Sequence, residues 1–414
     1  MAEKPVNAGT DQRRLIDRAW AILVGAALCM MCAQVASVMY TFGVFAPEIA
    51  ASTGWSRVDI AGAAGAGSLV GALLAPLIGL AGDRLGQRRL VILGGPCYSA
   101  GLALVGYAPT SAFTLAVCVG IVGALGFAAI PVLYAQIVSG WFAKRRGLAL
   151  SLLFTATSLG VAVWSIYASA LLPRVGWRHT YALMGATAGV IILAAGIFLI
   201  RDPPVRSRSE NQRTVPGISV AEALRTGTFW KLIIVFVLVT AILSGCSVPL
   251  PNILRRMGVS PDVAALAIPL VAVGMLTGRL SAGIMLDRWF APYVTAAFFI
   301  FSLVGMALLL VGANSTVIFV AVVFLAMGIG AEMDAAAYMV SRASGLRSFG
   351  AIYGLITLAY GVSGAVGAGA TGHAVEAGVA PTTIFGVSIG LLIVAVLVLL
   401  TIRPRHFPYA AVVD

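Results

Sequence analysis

The sequence predicts an all-α polytopic membrane protein, with twelve transmembrane helices arranged as two parallel-repeat six-helix bundles. Of its 414 residues, 60% are hydrophobic and only 10% are charged, whereas a soluble domain is about half apolar and a quarter charged. The mean hydropathy is +1.01. Apolar runs long enough to cross a bilayer recur along the chain, and a short charged motif appears once in each half.

A transmembrane helix needs about 20 consecutive apolar residues. Twelve runs approach this length, and they predict spans at Ala19–Phe45, Val58–Leu80, Leu90–Tyr107, Ala112–Val138, Gly147–Leu172, Thr180–Ile200, Phe229–Leu250, Val263–Leu286, Tyr293–Val311, Thr316–Val340, Phe349–Gly372 and Thr382–Ile402. The longest polar break runs from Arg201 to Arg225. The predicted domains are therefore an N-terminal six-helix bundle (1–200), a cytoplasmic linker (201–228) and a C-terminal six-helix bundle (229–414).

The positions of Lys and Arg predict the orientation. With the N-terminus in the cytoplasm, most of the 27 Lys and Arg residues fall in cytoplasmic segments. The exceptions are Arg57, Arg174, Arg178, Arg255 and Arg256 on the other side and Arg279 within a span. Because cytoplasmic loops are enriched in Lys and Arg, both termini are expected in the cytoplasm.

The net charge of +12 is assigned to loops that face anionic lipid, so the bilayer is an expected partner and nucleic acid is not. We expect a multi-pass plasma membrane protein, of a bacterial inner membrane, with a retained first helix. The five cysteines lie in apolar runs without metal-binding partners. No metal-ligand spacing, phosphate loop or catalytic set is visible, so no cofactor, no metal and no enzymatic activity are expected.

A charged turn punctuated by glycines joins the second and third spans. It reads G-x-x-x-D-R-x-G-x-R-R, formed by Gly79, Asp83, Arg84, Gly86, Arg88 and Arg89. The first part recurs after the eighth span as Gly283, Asp287 and Arg288. Six spans in each half, with this turn after the second span of each half, resemble the major facilitator superfamily over essentially the whole chain.

The resemblance implies the major facilitator fold, in which two six-helix bundles rock around a central site. The turn would lie on the cytoplasmic rim, away from the chemistry. Its predicted role is a conformational latch, whose ion pairs hold the two halves in an outward-open state and break on rocking. The predicted latch residues are Gly79, Asp83, Arg84, Gly86, Arg88, Arg89, Asp287 and Arg288.

Three further stretches narrow the resemblance. They are 42–57 between the first two spans, 141–149 before the fifth span and 278–283 in the eighth. Together they look like the monocarboxylate transporter and oxalate:formate antiporter branch, which implies a small organic anion as substrate. The membrane arginine and Gly-Pro pair typical of drug exporters are absent from spans four and five. Animal monocarboxylate transporters place a lysine in the first span, and the oxalate:formate antiporter pattern has one in the eleventh. Both lysines are absent from this sequence.

An ionisable side chain at mid-bilayer costs about 2.5–3.5 kcal/mol, so each one suggests a function. Arg279 lies in the eighth span. Its guanidinium stays charged and presents a planar fork that matches a carboxylate. We predict that Arg279 anchors the substrate, as the matching arginine of the resembled family implies. The alternative is a structural pair with a nearby acid or with the turn at Asp287.

Glu332 and Asp334 lie in the tenth span. Two residues apart on a helix, they point about 200° away from each other, so both cannot face one cavity. Either could carry the coupled proton, and the sequence leaves open which. The alternative is that both are permanently ionised structural partners, one of Arg279 and one of Arg342.

Polar and aromatic side chains in the spans are further candidates for substrate binding, although each could equally be interfacial packing. They are Gln34, Tyr40, Tyr134, Gln136, Trp164, Tyr338 and Tyr360.

These observations predict a secondary active transporter that carries small organic anions, in particular monocarboxylates, with protons by alternating access and works as a monomer. Organic-anion exchange is the alternative, followed by proton-driven drug or metabolite export. A membrane sensor that does not transport is a further alternative, disfavoured by the charged residues within the spans. The sequence does not predict which anion is carried.

Overall fold

The computed structural model describes residues 8–39, 41–55, 57–107, 110–142, 145–203, 215–312 and 314–409. Within these ranges the structure is helical and contains no strand, and an isolated bridge pairs Gly217 with Gly345. The helices are α1 (Ala8–Met31), α2 (Phe42–Thr53), α3 (Arg57–Leu85), α4 (Gln87–Tyr107), α5 (Ala112–Leu125), α6 (Pro131–Trp141), α7 (Arg146–Ala194), α8 (Val220–Leu224), α9 (Gly227–Ser247), α10 (Leu250–Arg256), α11 (Pro261–Ala265), α12 (Ala267–Leu286), α13 (Ala291–Val311), α14 (Ser315–Ser344), α15 (Phe349–Glu376) and α16 (Pro381–Leu400).

Ten helical segments in the described ranges are long and apolar enough to cross a membrane. One of them, Arg146–Leu199, covers the fifth and sixth predicted spans, because the helix runs on through a break at Gly176, where φ is +72°. The second predicted span coincides with α3, which is 29 residues long. The predicted class, an all-α polytopic membrane protein, is confirmed.

Two predicted spans are interrupted at positions where the hydropathy of the sequence predicts a continuous helix. In the first span, α1 ends at Met31, a π-helix follows over Val35–Met39, and α2 begins at Phe42. In the fourth, a 3-10 turn separates α5 from α6, which begins at Pro131. Proline has no backbone N–H and is favoured in the first turn of a helix, so an apolar run can end one helix and start another there.

One compact unit comprises the described parts of residues 1–67, 85–142 and 156–210. Buried polar and aromatic contacts hold its helices together. The hydroxyls of Ser37 and Tyr98 lie 2.6 Å apart. The ring of Phe45 stacks on that of Tyr181, with 4.1 Å between centroids. Each pair joins residues far apart in the sequence, and the hydroxyl pair satisfies two groups that would be costly to bury alone.

A second compact unit comprises the described parts of residues 68–84, 143–155 and 211–414. In it α12 packs closely on α14. A Cβ at Gly278 would overlap the backbone of Met327, and a Cβ at Gly330 would overlap that of Met275. Small residues let helix backbones approach closely in a membrane protein. This close approach sets the distance at which polar side chains of α12 and α14 meet.

Candidate functional site

The arginine of the eighth span and one acid of the tenth form an ion pair. Arg279 lies on α12 and Asp334 on α14, and the Nε of Arg279 lies 3.5 Å from Oδ1 of Asp334. Arg279 is 8% exposed and Asp334 is fully buried. Removing either partner would leave the other charge buried without compensation, which is strongly unfavourable.

The first part of α7 supplies further partners to this pair. Nη1 of Arg279 donates to the backbone carbonyl of Phe154 at 2.7 Å, and its charged group lies 6.0 Å from the centre of the Phe154 ring. Ser151 Oγ donates to Oδ2 of Asp334 at 2.5 Å. Nε of Arg279 also reaches the carbonyl of Gly330 at 3.4 Å. Three helices therefore fix the pair in one geometry.

The second acid of the tenth span faces a different helix. Glu332 is buried, and its Oε1 accepts a hydrogen bond from the hydroxyl of Thr240 on α9. Arg342, which the sequence offered as a partner for an acid, contacts Tyr338. Its Nη2 donates to the Tyr338 hydroxyl at 3.1 Å, and its charged group lies 5.1 Å from the ring centre. The two acids thus have distinct surroundings.

Asp287 binds the start of a helix. Directly after α12, its Oδ1 accepts from the backbone N–H of Gly147 at 2.6 Å and its Oδ2 from that of Leu148 at 2.9 Å. Burial raises the pKa of Asp287 above its ordinary value, against the lowering effect of the two amides and of Arg342 and Arg146. The carboxylate caps the first turn of α7, where amides lack partners within the helix.

Asp83 makes the corresponding contact in the first copy of the motif. It lies near the end of α3, and its Oδ2 accepts from the backbone N–H of Ala351 in the first turn of α15, at 3.0 Å. A Cβ at Gly79 would overlap the carbonyl of Gly350, so glycine is needed for α3 to lie this close to α15. The motif thus combines a glycine contact with a helix cap.

Gly86, Arg88 and Arg89 of the motif lie in the other compact unit. Gly86 adopts φ +88°, a conformation that favours glycine. The backbone N–H of Arg88 donates to Oδ1 of Asp202 at 3.0 Å. The Arg88 guanidinium donates to the carbonyls of Gly196 and Ile197 at 3.3 and 3.1 Å. The remaining motif arginines are exposed: Arg84, Arg89 and Arg288.

The polar and aromatic candidates for substrate binding have different surroundings. In the first unit, four are buried: Gln34, Tyr134, Gln136 and Trp164. The Tyr134 hydroxyl donates to the carbonyl of Ala128, and Trp164 Nε1 donates to that of Met31 at 2.8 Å. In the second unit, Tyr338 contacts Arg342 and Tyr360 is half-buried. Tyr40 lies outside the described residues. Their binding of substrate stays a prediction.

Sequence reasoning missed several residues that complete these contacts. Ser151 and Thr240 are single hydroxyls within apolar runs, without a motif that marks them. Arg146 was counted among the loop charges, yet it is only 1% exposed and its Nη1 donates to Ser341 Oγ at 2.9 Å. Its position at the start of the fifth span was the one available signal. No group of three or more His, Cys, Asp and Glu side chains in the described residues could hold a metal ion.

Relatives of this chain are found among membrane transporters. It is 26% identical to an uncharacterized MFS-type transporter, YhjX, of Escherichia coli (strain K12), over 83% of this chain and 80% of that protein. It is 24% identical to monocarboxylate transporter 13 of Rattus norvegicus, over 86% of this chain and 83% of that protein.

Solved structures share the fold at low identity. The proton:xylose symporter XylE superposes with a TM-score of 0.74 at 14% identity, covering 94% of this chain and 96% of that one. The human organic anion transporter MFSD10 gives 0.68 at 16%, covering 94% and 99%. The family described as Major Facilitator Superfamily matches residues 24–368. The resemblance seen in the charged turn is confirmed, and the chain belongs to the Major Facilitator Superfamily of membrane transporters.

Proposed function

We propose that this chain is a secondary active transporter that carries small organic anions, in particular monocarboxylates, together with a proton. The observation that carries the proposal is the buried pair of Arg279 and Asp334, 3.5 Å apart. The names of two similar proteins, a monocarboxylate transporter and an organic anion transporter, support the substrate class.

The pair offers a simple way to couple a proton to an anion. While Asp334 is ionised, it compensates the charge of Arg279. A proton on Asp334 leaves the guanidinium buried without a counter-charge, which is costly. A substrate carboxylate can then replace Asp334 as the counter-charge of Arg279, because the planar fork of arginine matches a carboxylate. One proton and one monoanion together leave the charge of the site unchanged, so each favours the binding of the other.

This scheme assigns the coupled proton to Asp334, which shares Arg279, rather than to Glu332. Hydrogen bonds to Ser151 and to the carbonyl of Phe154 hold Asp334 and Arg279 in place. Glu332, bound to Thr240 on α9, has no part in the exchange between Asp334 and substrate. Its buried carboxyl makes it a matched control in the same helix.

The two helix-capping aspartates provide the proposed latch. Asp83 and Asp287 tie the ends of α3 and α12 to the first turns of α15 and α7. Alternating access between bundles 1–200 and 229–414 would break these contacts in each cycle. We place them at the cytoplasmic side of a bacterial inner membrane, with both termini in the cytoplasm, and the working unit is a monomer.

Uptake into proteoliposomes tests the proposal. Labelled lactate, pyruvate and benzoate are supplied outside under an imposed pH gradient, acid outside, which provides about 1.4 kcal/mol per unit. We expect uptake of at least one acid above its equilibrium level, abolished by a protonophore and by Arg279→Gln. Counterflow without net uptake into vesicles that hold no internal anion would identify an anion exchanger instead. Transport that survives Arg279→Gln would refute the site.

A further inference from the structure

A separate cavity lies where α9 and α15 begin and α14 ends. Its volume is about 230 Å³. Its buried part is mainly apolar and includes Phe229, Leu232 and Ile352, with Ser344 as a buried polar residue. Its more exposed part includes Arg405 and His406, which follow α16. The cavity therefore combines an apolar floor with a basic rim.

Positive charge is concentrated at the rim. The pKa of His406 is lowered by partial burial and, beyond that, by the nearby charges of Arg405, Lys231 and Arg403. His406 Nδ1 accepts a hydrogen bond from the backbone N–H of Arg403 at 2.9 Å, so the neutral ring carries its hydrogen on Nε2. None of the described residues that line the cavity is acidic. The described lining thus offers an anion an arginine, a histidine and hydroxyl groups, and no carboxylate.

The walls of the cavity are held in place. The backbone N–H of Tyr409 donates to the carbonyl of Arg342 at 3.3 Å, and that of Ile218 donates to the carbonyl of Ser344 at 2.9 Å. The ring of Phe407 contacts that of Phe290, with 5.6 Å between centroids. The segments before α9 and after α16 are therefore anchored to the helix ends, which leaves the cavity preformed.

We propose that this cavity binds a small organic anion: one anionic group at the basic rim, on an apolar body that fills the floor. Its volume lies below the roughly 300–1,000 Å³ of pockets for drug-sized ligands, which favours a body of a few carbon atoms. The source is a free short-chain carboxylate or the headgroup region of an acidic phospholipid. The site is separate from Arg279 and does not depend on the proposed transport function.

The test uses the full chain in nanodiscs of phosphatidylcholine, with hexanoate as the probe and hexanol as its uncharged match. To exclude binding at the transport site, both partners there are neutralised in an Arg279→Gln/Asp334→Asn background. We expect calorimetric binding of hexanoate but not of hexanol in this background and in the wild type. If the transport proposal is wrong and hexanoate does not bind at Arg279, the double variant should bind hexanoate as the wild type does.

Two variants probe the two parts of the cavity. Arg405→Gln removes charge from the rim and should weaken hexanoate binding at least tenfold, whereas Ala343→Phe fills the interior and should abolish it. Arg255→Gln, an exposed arginine elsewhere, is the matched control and should bind normally. Binding equal to that of the wild type in Arg405→Gln, or in Ala343→Phe where Arg405→Gln does not fold, would overturn the proposal.

Nanodiscs with added phosphatidylglycerol distinguish the sources. A rise in the unfolding temperature with phosphatidylglycerol, lost in Arg405→Gln and kept in Arg255→Gln, would support an acidic lipid as occupant. The same pattern with hexanoate alone would support a free carboxylate. If neither compound gives a response that depends on Arg405, the cavity is not an anion site.

Discussion

Asp83 and Asp287 hold equivalent positions in the two copies of the charged motif, and each caps a helix from the other half of the sequence. Asp83 accepts from the amide of Ala351, and Asp287 from those of Gly147 and Leu148. A carboxylate at a helix N-terminus is favoured by the unpaired amides and by the helix dipole. The repeat in the sequence is therefore a repeat of geometry.

Neutralising either aspartate should weaken its cap. Asp83→Asn and Asp287→Asn each keep the size of the side chain but replace one acceptor oxygen by an NH2 group, and a buried backbone N–H left without its acceptor costs about 1–3 kcal/mol. We expect a lower unfolding temperature and altered transport rates in each variant. Because the two contacts share no residue, their effects on stability should add.

The control for this pair is Asp262→Asn, which changes an exposed acid in the first turn of α11. Unfolding temperatures of Asp83→Asn and Asp287→Asn that match that of Asp262→Asn would show that the caps carry no stability.

The cap at Asp287 should also respond to pH. Burial raises the pKa of Asp287 above its ordinary value of 3.8, so the folded protein holds this proton more tightly than the unfolded chain does. The contribution of the side chain to stability is then greatest in acid and falls as the pH rises past 3.8. The advantage in unfolding temperature of the wild type over Asp287→Asn should therefore narrow between acid and neutral pH. A difference that grows in its favour would contradict this assignment.

The glycine of the first motif copy should resist even a methyl group. In Gly79→Ala the added Cβ meets the backbone carbonyl of Gly350, which cannot rotate away as a side chain could. Overpacking of this kind costs about 1–3 kcal/mol. Gly369→Ala is the matched control on α15, because a Cβ there meets nothing within 4 Å. Thermal unfolding should separate the two variants, and equal stability would exclude a tight contact between α3 and α15.

The central ion pair should show strong coupling in a double-mutant cycle. Arg279→Gln and Asp334→Asn each leave one charge buried alone, and breaking a buried pair costs about 3–5 kcal/mol. The double variant has no such charge and should regain much of the lost stability, as measured by thermal unfolding. Additive losses would mean that the two side chains do not compensate each other.

Much of the fold was accessible from the sequence, because hydropathy reports burial in lipid directly. The apolar runs identified the spans, and the glycines and charges of the motif identified the family. The interruptions in spans one and four were missed. Pro131 begins a helix inside a run that is apolar throughout, and a π-helix at Val35–Met39 leaves no trace in hydropathy.

The candidate site was accessible only in part. Arg279 and Asp334 stood out because charges within spans are rare, but their pairing depends on the close approach of α12 and α14 at Gly330. The sequence left open which acid meets Arg279. Ser151 and Thr240 went unnoticed, since one hydroxyl in an apolar helix becomes informative only when the facing carboxylate is known.

Proton uptake on substrate binding tests the central claim most directly. Purified protein in weakly buffered detergent solution is titrated with the acid that shows uptake in proteoliposomes, and the protons bound are counted with a pH indicator. We expect uptake of protons with each anion in the wild type and in Glu332→Gln, and none in Asp334→Asn, which should still bind the anion. Binding by the wild type without proton uptake, or uptake lost in Glu332→Gln and kept in Asp334→Asn, would contradict the exchange of Asp334 for substrate at Arg279.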